Sequence, residues 1–245
     1  MSALYDMIGV DYANLRKPDP RIATQIVGAL GNTRTVLNVG AGTGSYEPSG
    51  RQVTALEPSA EMIAQRGAGA APAVQGQAES LPFADNSFDA AMGVLTIHHW
   101  TDQAKGLAEM RRVARDRVVL LTFDPAFRGA WQMDYWPQLV ALDEAKMPPL
   151  DFYAKHLGEV EILPVPIPHD CSDGFLYAYW RRPAAYLDPR IRKGSSSFWL
   201  LDSLQDGFER LEADLASGAW ECENATILGQ DSYDAGYRLV TVRVG

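Results

Sequence analysis

The fold is decided by the stretch Val36-Leu37-Asn38-Val39-Gly40-Ala41-Gly42-Thr43-Gly44. Its apolar first half predicts a buried strand, and the glycines that follow predict a turn at the end of that strand. Glycine has no Cβ, so a ligand can approach the backbone of such a turn closely. Ligands of open parallel sheets bind at the carboxyl ends of the strands. The stretch therefore predicts a ligand site directly after the first strand.

Two styles of sequence follow one another along the chain. Residues 20–124 alternate short β-rich runs with helical patterns, which is typical of βαβ units around a parallel sheet. From about residue 125 the chain is rich in Trp, Tyr and Pro, and only two runs, about 159–166 and 236–243, predict strands. The segments at about 125–158 and 167–235 predict a helical cap inserted late in the chain, with one helix from about Trp199 to Leu215.

A carboxylate, Glu57, ends the second predicted strand. In a doubly wound sheet this acid lies beside the glycine turn, where it can accept both hydroxyl hydrogens of a ribose. The turn does not follow the G-x-G-x-x-G pattern of dinucleotide-binding sheets, because Ser45 stands at the third glycine position. A ribose-containing ligand is therefore predicted, and a nicotinamide or flavin dinucleotide is disfavoured. A plain structural turn beside a solvated acid is the alternative.

A series of motifs resembles the class I S-adenosylmethionine-dependent methyltransferases, of the small-molecule kind often called type 11. The resemblance covers roughly residues 20–124. It implies a Rossmann-like α/β fold with a doubly wound, seven-stranded sheet, mostly parallel with an antiparallel last strand, and S-adenosylmethionine as cofactor. The matching stretches are 36–44, Glu57-Pro58-Ser59 with Met62, Gly76-Gln77-Ala78-Glu79-Ser80-Leu81-Pro82-Phe83, Asp85-Asn86-Ser87-Phe88-Asp89, His98-His99-Trp100 and Glu109-Met110-Arg111-Arg112-Val113.

The resemblance also implies a place for each candidate cofactor-binding residue. The turn would line the methionine end and the ribose, Glu57 would hold the ribose hydroxyls, and Thr96 would lie near the methionine moiety. Pro58 and Met62 would flank the adenine, whose edge would meet residues 77–79. The full implied set is Gly40, Ala41, Gly42, Gly44, Glu57, Pro58, Met62, Gln77, Ala78, Glu79 and Thr96.

Two departures from the family pattern concern the sheet and the adenine site. Only Ser45 to Arg51 separate the glycine turn from the second strand, which leaves room for about two helical turns at most. We therefore expect another segment, such as the N-terminal one, to cover that face of the sheet. Gln77 stands where the family often carries an acid, and its amide oxygen can still accept a hydrogen bond from the adenine amino group.

Two adjacent histidines, His98 and His99, follow the fourth predicted strand, where the substrate-facing loop is expected. Methyl transfer needs a base only when the acceptor must lose a proton. Neighbouring residues point in different directions, so we take His99 alone as the candidate base or substrate ligand; a structural histidine bonded to backbone is the alternative. His156 and His169 fit no metal-binding spacing, and no metal is expected.

Composition limits the partners of the chain. With 31 acidic and 22 basic residues its net charge is −9, which argues against binding through nucleic-acid phosphates. No apolar run approaches the ~20 residues of a membrane span, and the N-terminus lacks signal-peptide features, so no membrane contact and a cytoplasmic location are expected. The sequence leaves both a monomer and a homodimer open.

The sequence therefore predicts an enzyme that transfers a methyl group from S-adenosylmethionine to an O, N or C atom of a small, hydrophobic or aromatic molecule. Residues 1–124 would form the cofactor-binding core with an N-terminal lid segment, and 125–245 the cap with the last two strands. The many aromatic residues of the cap predict either a plain core or a wall of the acceptor site. Two alternatives remain, a non-catalytic protein that binds S-adenosylmethionine or S-adenosylhomocysteine, and a dinucleotide-dependent oxidoreductase.

Overall fold

A computed structural model describes residues 15–244 of the chain. The main feature of these residues is a seven-stranded sheet. The first 14 residues of the predicted N-terminal lid lie outside the described part. A separate pair of short strands, β7 (Ile167–Pro168) and β8 (Ser232–Tyr233), lies apart from the main sheet. The main sheet holds β1 (Thr35–Val39), β2 (Gln52–Glu57), β3 (Ala73–Gln75), β4 (Phe88–Val94), β5 (Ala114–Phe123), β6 (Val160–Pro164) and β9 (Tyr237–Arg243).

The order of the strands is β3-β2-β1-β4-β5-β9-β6. Strands β1 to β5 pair in parallel, whereas β9 is antiparallel to both β5 and β6. Strands β2 and β3 are added on one side of β1, whereas β4 and β5 are added on the other side. The order in which strands are added therefore reverses between β1 and β4, and ligands of such sheets bind at this point. The prediction of a doubly wound, mostly parallel sheet with an antiparallel last strand is confirmed.

Alternate side chains of the central strands enter two hydrophobic cores, one on each face of the sheet. Val36 of β1 and Ala90 of β4 belong to the first core, and Leu37 and Ala91 to the second. This alternation is the period-two pattern of a strand that is covered on both sides. The helices are α1 (Pro20–Leu30), α2 (Ala60–Ala64), α3 (Gln103–Val113), α4 (Gln132–Tyr135), α5 (Gln138–Lys146), α6 (Leu150–Leu157), α7 (Pro189–Arg192), α8 (Ser197–Leu200), α9 (Gln205–Ser217), α10 (Ala219–Glu223) and α11 (Ala225–Leu228).

The chain between the glycine turn and β2 forms turns and bends rather than a helix. Helix α1 covers the exposed face in its place, because its buried residues Ile22, Ile26 and Leu30 join the same core as Val36. Asp19 caps this helix by accepting a hydrogen bond from the backbone N–H of Arg21 at 2.9 Å.

A buried polar cluster fastens the N-terminal segment to the cap. Asp173 is fully buried, and its carboxylate pairs with Arg16 at 2.7 Å and accepts a hydrogen bond from the Tyr46 hydroxyl at 3.0 Å. The fully buried Asp19 accepts a hydrogen bond from the backbone N–H of Ser172 at 3.2 Å. The cap segment at 172–173 is thus tied to α1 and to the turn that follows β1.

Within residues 167–235, the structure differs from the sequence prediction at one helix. In place of one helix from Trp199 to Leu215, α8 ends at Leu200 and α9 begins at Gln205. The interruption has a backbone cause: Leu201 is extended, and Ser203 adopts a left-handed φ of 59°, which no helix can accommodate. Trp199 and Leu200, at the start of the predicted helix, are 44% and 45% exposed.

The aromatic residues of the cap form a packed layer on the first core. Trp136, Trp180 and Trp220 are each at most 1% exposed, and rings of this layer meet edge to face, as do Trp131 and Trp220 at 5.3 Å. Much of the aromatic content is therefore core. Within residues 15–244, no helix has both the length and the apolar content needed to cross a membrane.

Candidate cofactor and acceptor site

The glycine turn after β1 packs so tightly that side chains are excluded at its first position. A Cβ built on Gly40 would lie 1.9 Å from Oγ1 of Thr96, and Gly40 has a φ of +70°. The backbone N–H groups of Gly40 and Ala41 both donate to the carbonyl oxygen of Leu56, at 2.8 and 3.0 Å. Because β4 pairs with β1, Thr96, which follows β4, lies against the backbone of Gly40 in the turn after β1.

Gly42 borders open space rather than a packed neighbour. It has a φ of +52°, and a Cβ placed on it would meet Cε of Met62 at an ordinary contact distance of 3.5 Å. A side chain at Gly42 would thus point into the space in front of Met62. The turn leaves this space free for a ligand, as the sequence predicted from the absence of a Cβ.

Glu57 is held rigidly at the end of β2. It is 7% exposed, and its two carboxylate oxygens accept hydrogen bonds from the backbone N–H groups of Gly42 at 2.8 Å and Ser59 at 3.0 Å. Burial raises the pKa of Glu57, and the two N–H groups and the charge of Arg66 oppose that rise. Each oxygen keeps a lone pair, so the carboxylate can accept further hydrogen bonds in a fixed direction.

The ion pair between Arg66 and Glu47, which lies behind the glycine turn, was not predicted from the sequence. Arg66 pairs with Glu47 and donates to the carbonyl oxygen of Gly42 at 2.9 Å. Glu47 also accepts a hydrogen bond from the backbone N–H of Ala71 at 2.8 Å. These contacts fix the far side of the glycine turn. No motif signals them, because each is an ordinary charged residue outside any recognisable pattern.

The turn, Glu57 and the ends of β3 and β4 enclose a cavity of about 340 Å³, which we call the first cavity. Its volume lies in the range of small-molecule and cofactor sites. Gly44, although predicted, does not line it; a Cβ there would face Ala70 and Glu47. The predicted residues that line the first cavity are Gly40, Ala41, Gly42, Glu57, Pro58, Met62, Gln77, Ala78, Glu79, Thr96 and His99.

The segment after β3 lines the first cavity in two different ways. Gln77 is exposed, whereas the carboxylate of Glu79 is engaged with the chain that follows the histidines. One oxygen of Glu79 accepts hydrogen bonds from the backbone N–H and hydroxyl of Thr101 and from the N–H of Asp102, at 2.6, 2.7 and 3.1 Å. Burial acts to raise the pKa of Glu79, but these hydrogen bonds lower it overall. Glu79 therefore holds two walls of the cavity together.

A second cavity of about 140 Å³ adjoins the first, and the two share Arg16, Leu95 and His99 as lining residues. The segments predicted to form the cap supply much of the remaining wall, from the end of α5, from residues 175–177 and from residues 194–197 with Leu200. Phe123 and Tyr237, from β5 and β9, line it from the sheet. The aromatic residues of the cap are thus partly core and partly cavity wall.

The two histidines differ in what they face. His99 lines both cavities, whereas His98 lines only the second. Burial, with the nearby positive charges of Arg16 and Lys146, lowers the pKa of His99 to about 4. The pKa of His98 is also lowered, by burial and then by the charges of His99, Arg16 and Lys146. Both rings are therefore neutral near pH 7.

Comparison with known proteins identifies relatives of this chain. Residues 37–122, which include the glycine turn, Glu57 and both histidines, match the family described as "Methyltransferase domain". A putative methyltransferase from an antibiotic biosynthesis pathway of Anabaena variabilis, whose crystal structure is known, is 36% identical. The similarity covers 93% of this chain and 98% of that one, with a TM-score of 0.86.

Two curated relatives match a shorter part. The demethylmenaquinone methyltransferase of Renibacterium salmoninarum is 34% identical over 49% of this chain and 54% of its own. The ubiquinone/menaquinone biosynthesis C-methyltransferase UbiE of Citrifermentans bemidjiense is 33% identical over 45% and 56%. The chain thus spans little more than half the length of these relatives. The strand order and the match over nearly a whole solved chain establish that this protein belongs to the class I S-adenosylmethionine-dependent methyltransferases.

Proposed function

We propose that this methyltransferase transfers the methyl group to an O, N or C atom of a small, hydrophobic or aromatic molecule bound in the second cavity. The observation that carries the proposal is the junction of the two cavities at Arg16, Leu95 and His99. A cofactor in the first cavity and an acceptor in the second would meet at this junction. The aromatic side chains of the second cavity suit an apolar or planar acceptor.

The residues of the first cavity fit S-adenosylmethionine. A side chain at Gly42 would fill part of the space that the methionine end needs, and Glu57 retains lone pairs for the ribose hydroxyls. Pro58 and Met62 offer apolar surface for the adenine, and the exposed Gln77 amide is free to turn toward its edge. Gly44 would act through the shape of the turn rather than by contact.

When bound, the cofactor supplies an activated sulfonium methyl group for in-line displacement by the acceptor. The protein then has to position the acceptor and exclude water, which is the role we propose for the cap over the ends of β4 and β5. Neutral His99 would accept the proton of an acceptor that must lose one, through a ring nitrogen at the junction.

The two cavities suggest different roles for the two parts of the chain. We propose residues 1–124 as the cofactor-binding core and 125–245 as the cap with the last two strands. Lining residues from α5 and from 175–177 and 194–200 support the cap as the source of acceptor specificity. The two relatives named for quinone methylation support a ring-containing acceptor, although they match only about half of this chain.

An acceptor search tests the proposed function. The protein is incubated with a small-molecule extract and S-adenosylmethionine that carries an isotopic methyl label, and the extract is then analysed by mass spectrometry. We expect one or a few small, apolar compounds to gain a single labelled methyl group. Label found only on protein or nucleic acid, or no transfer to any fraction, would refute a small-molecule acceptor.

The role of His99 gives a separate prediction. His99→Ala should slow methyl transfer by about 10²-fold, because the junction loses its proton acceptor, while the affinity for S-adenosylhomocysteine stays nearly unchanged. Since the pKa of His99 is about 4, its ring stays neutral between pH 6 and 8, and the wild-type rate should not fall across that range through protonation of His99.

His156→Ala is the matched control, since the His156 ring lies tilted against Phe152, with ring centroids 4.2 Å apart, and His156 lines neither cavity. The control should keep the wild-type rate. Full turnover by His99→Ala on the acceptor would show that positioning alone suffices and that His99 is structural.

A further inference from the structure

The second cavity contains a buried acid that the proposed function does not use. Asp143 lies on α5, is 5% exposed, and lines this cavity. The Tyr177 hydroxyl donates a hydrogen bond to its Oδ2 atom at 2.9 Å. Within residues 15–244, Asp143 forms no ion pair, and Arg128, whose charge lowers the pKa of Asp143, is itself paired with Glu144. Asp143 is thus a buried carboxylate with one neutral partner.

Such a carboxylate is costly to leave in an apolar site. Burial raises the pKa of Asp143 to about 6, and the Tyr177 hydrogen bond and the charge of Arg128 only partly oppose the rise. With that pKa the group is still mostly ionised near pH 7. A buried charge is normally paired with an opposite charge, and here none is supplied by the described part of the protein.

Aromatic rings surround the same space. Phe123, Phe175, Tyr177 and Tyr237 all line the second cavity. Phe123 and Tyr177 stack at 5.1 Å between ring centroids, and Phe175 meets Tyr237 at 4.6 Å. The faces of aromatic rings attract cations, and such cages bind ammonium groups. A cavity of about 140 Å³ is close to the ~150 Å³ that holds a benzene molecule, so it takes a compact group.

Two positively charged side chains, Arg16 and Lys146, also line the second cavity. Arg16 and Lys146 lower the pKa of His98 and His99, whereas neither is a cause of the shift at Asp143. Arg16 is paired with Asp173, and Lys146 is exposed. Among residues 15–244, neither cation forms an ion pair with Asp143, although Lys146 lies three residues from it on α5.

We propose that Asp143, oriented by Tyr177, binds a protonated amine of the methyl acceptor within this ring of aromatic side chains. The inference rests on the proposed function, since it takes the second cavity as the acceptor site. It names the acceptor class as a small molecule with a cationic amine on or beside an apolar group. Asp143 is then a specificity-determining residue, and Tyr177 is its positioning residue.

Two probes of one shape test the inference. Benzylamine is protonated at neutral pH, whereas benzyl alcohol has a similar shape and can still donate a hydrogen bond but carries no charge. Their affinities are measured by calorimetry on the wild-type protein loaded with S-adenosylhomocysteine. We expect benzylamine to bind at least about tenfold more tightly, which corresponds to ~1.4 kcal/mol. Equal affinities, tighter binding of the alcohol, or binding of neither probe would overturn the inference.

Substitutions test whether Asp143 causes the preference for benzylamine. Asp143→Asn should abolish the preference for benzylamine while the affinity for benzyl alcohol changes little, and Tyr177→Phe should reduce it partly. Asp214→Asn is the matched control, because Asp214 accepts a hydrogen bond from the Tyr135 hydroxyl at 2.7 Å and lines neither cavity. The control should keep the full preference. A preference that survives in folded Asp143→Asn would assign the cation to another group.

The outcomes separate this inference from the proposed function. The probe comparison in the wild-type protein needs no variant, so it decides the matter even where Asp143→Asn fails to fold. If S-adenosylhomocysteine binds but the probes do not discriminate, the inference fails while the acceptor search still tests methyl transfer. If labelled methyl reaches no small molecule, the proposed function fails whatever the probes show.

Discussion

Gly42→Val should weaken the binding of S-adenosylmethionine and S-adenosylhomocysteine by at least about 10²-fold, which corresponds to ~2.8 kcal/mol. A Cβ at this position would touch Cε of Met62 at 3.5 Å and otherwise face the open space of the first cavity. The two methyl groups of valine would occupy that space. The backbone φ of +52° adds strain, because β-branched residues avoid the left-handed region. Calorimetric titration with either ligand measures the loss.

Gly50→Val is the control that distinguishes two effects of Gly42→Val, the loss of space for the ligand and the backbone strain. Gly50 has a φ of +77°, is exposed, and lies on the same connection between β1 and β2; a Cβ there would have no neighbour within 4 Å among residues 15–244. This control should lose stability to a similar extent but bind both ligands as the wild-type protein does. If Gly42→Val, still folded, binds them equally well, the first cavity is not the cofactor site.

Glu57→Ala should weaken cofactor binding by about ten- to hundredfold, since charge-assisted hydrogen bonds to the ribose hydroxyls contribute roughly 1.5–3 kcal/mol. The substitution also releases the backbone N–H groups of Gly42 and Ser59, which now donate to the carboxylate. The first cavity therefore loses a side chain that would bind the ribose, and the backbone around Gly42 and Ser59 loses part of its rigidity. Affinity for S-adenosylhomocysteine, measured by calorimetry, reports the combined effect.

Glu109→Ala is the matched control for this loss. Glu109 likewise accepts a hydrogen bond from a backbone N–H, that of Leu81 at 2.8 Å, and pairs with Arg112, but it lines neither cavity. The control should reduce stability without changing cofactor affinity. Unchanged affinity in folded Glu57→Ala would remove Glu57 from the cofactor site.

The cofactor half of the molecule could be predicted because its signals are local. A strand, a glycine turn and a strand-end acid lie within residues 35–57, and the parallel pairing of β1 with β2 places Glu57 beside Gly42. The contact between Thr96 and Gly40 follows from the position of β4 next to β1 in the sheet. The cofactor half thus depends on the sheet order, which the βαβ pattern indicates.

The acceptor half could not be predicted in the same way. Asp143 and Tyr177 lie 34 residues apart in a cap without a recognisable motif, and only the packing of the cap brings them together. The helix predicted from Trp199 had the right periodicity, but periodicity does not register the left-handed backbone at Ser203. The Arg66–Glu47 pair behind the glycine turn is likewise a tertiary contact between two ordinary surface-type residues.

A crystal structure of the protein with S-adenosylhomocysteine bound tests the central claim most directly. The account predicts that the ligand occupies the first cavity, with both ribose hydroxyls bonded to Glu57 and the sulfur atom facing the junction at His99. The second cavity should remain open beyond that sulfur. A ligand whose ribose lies away from Glu57, or whose sulfur faces solvent with His99 turned away from it, would contradict the account.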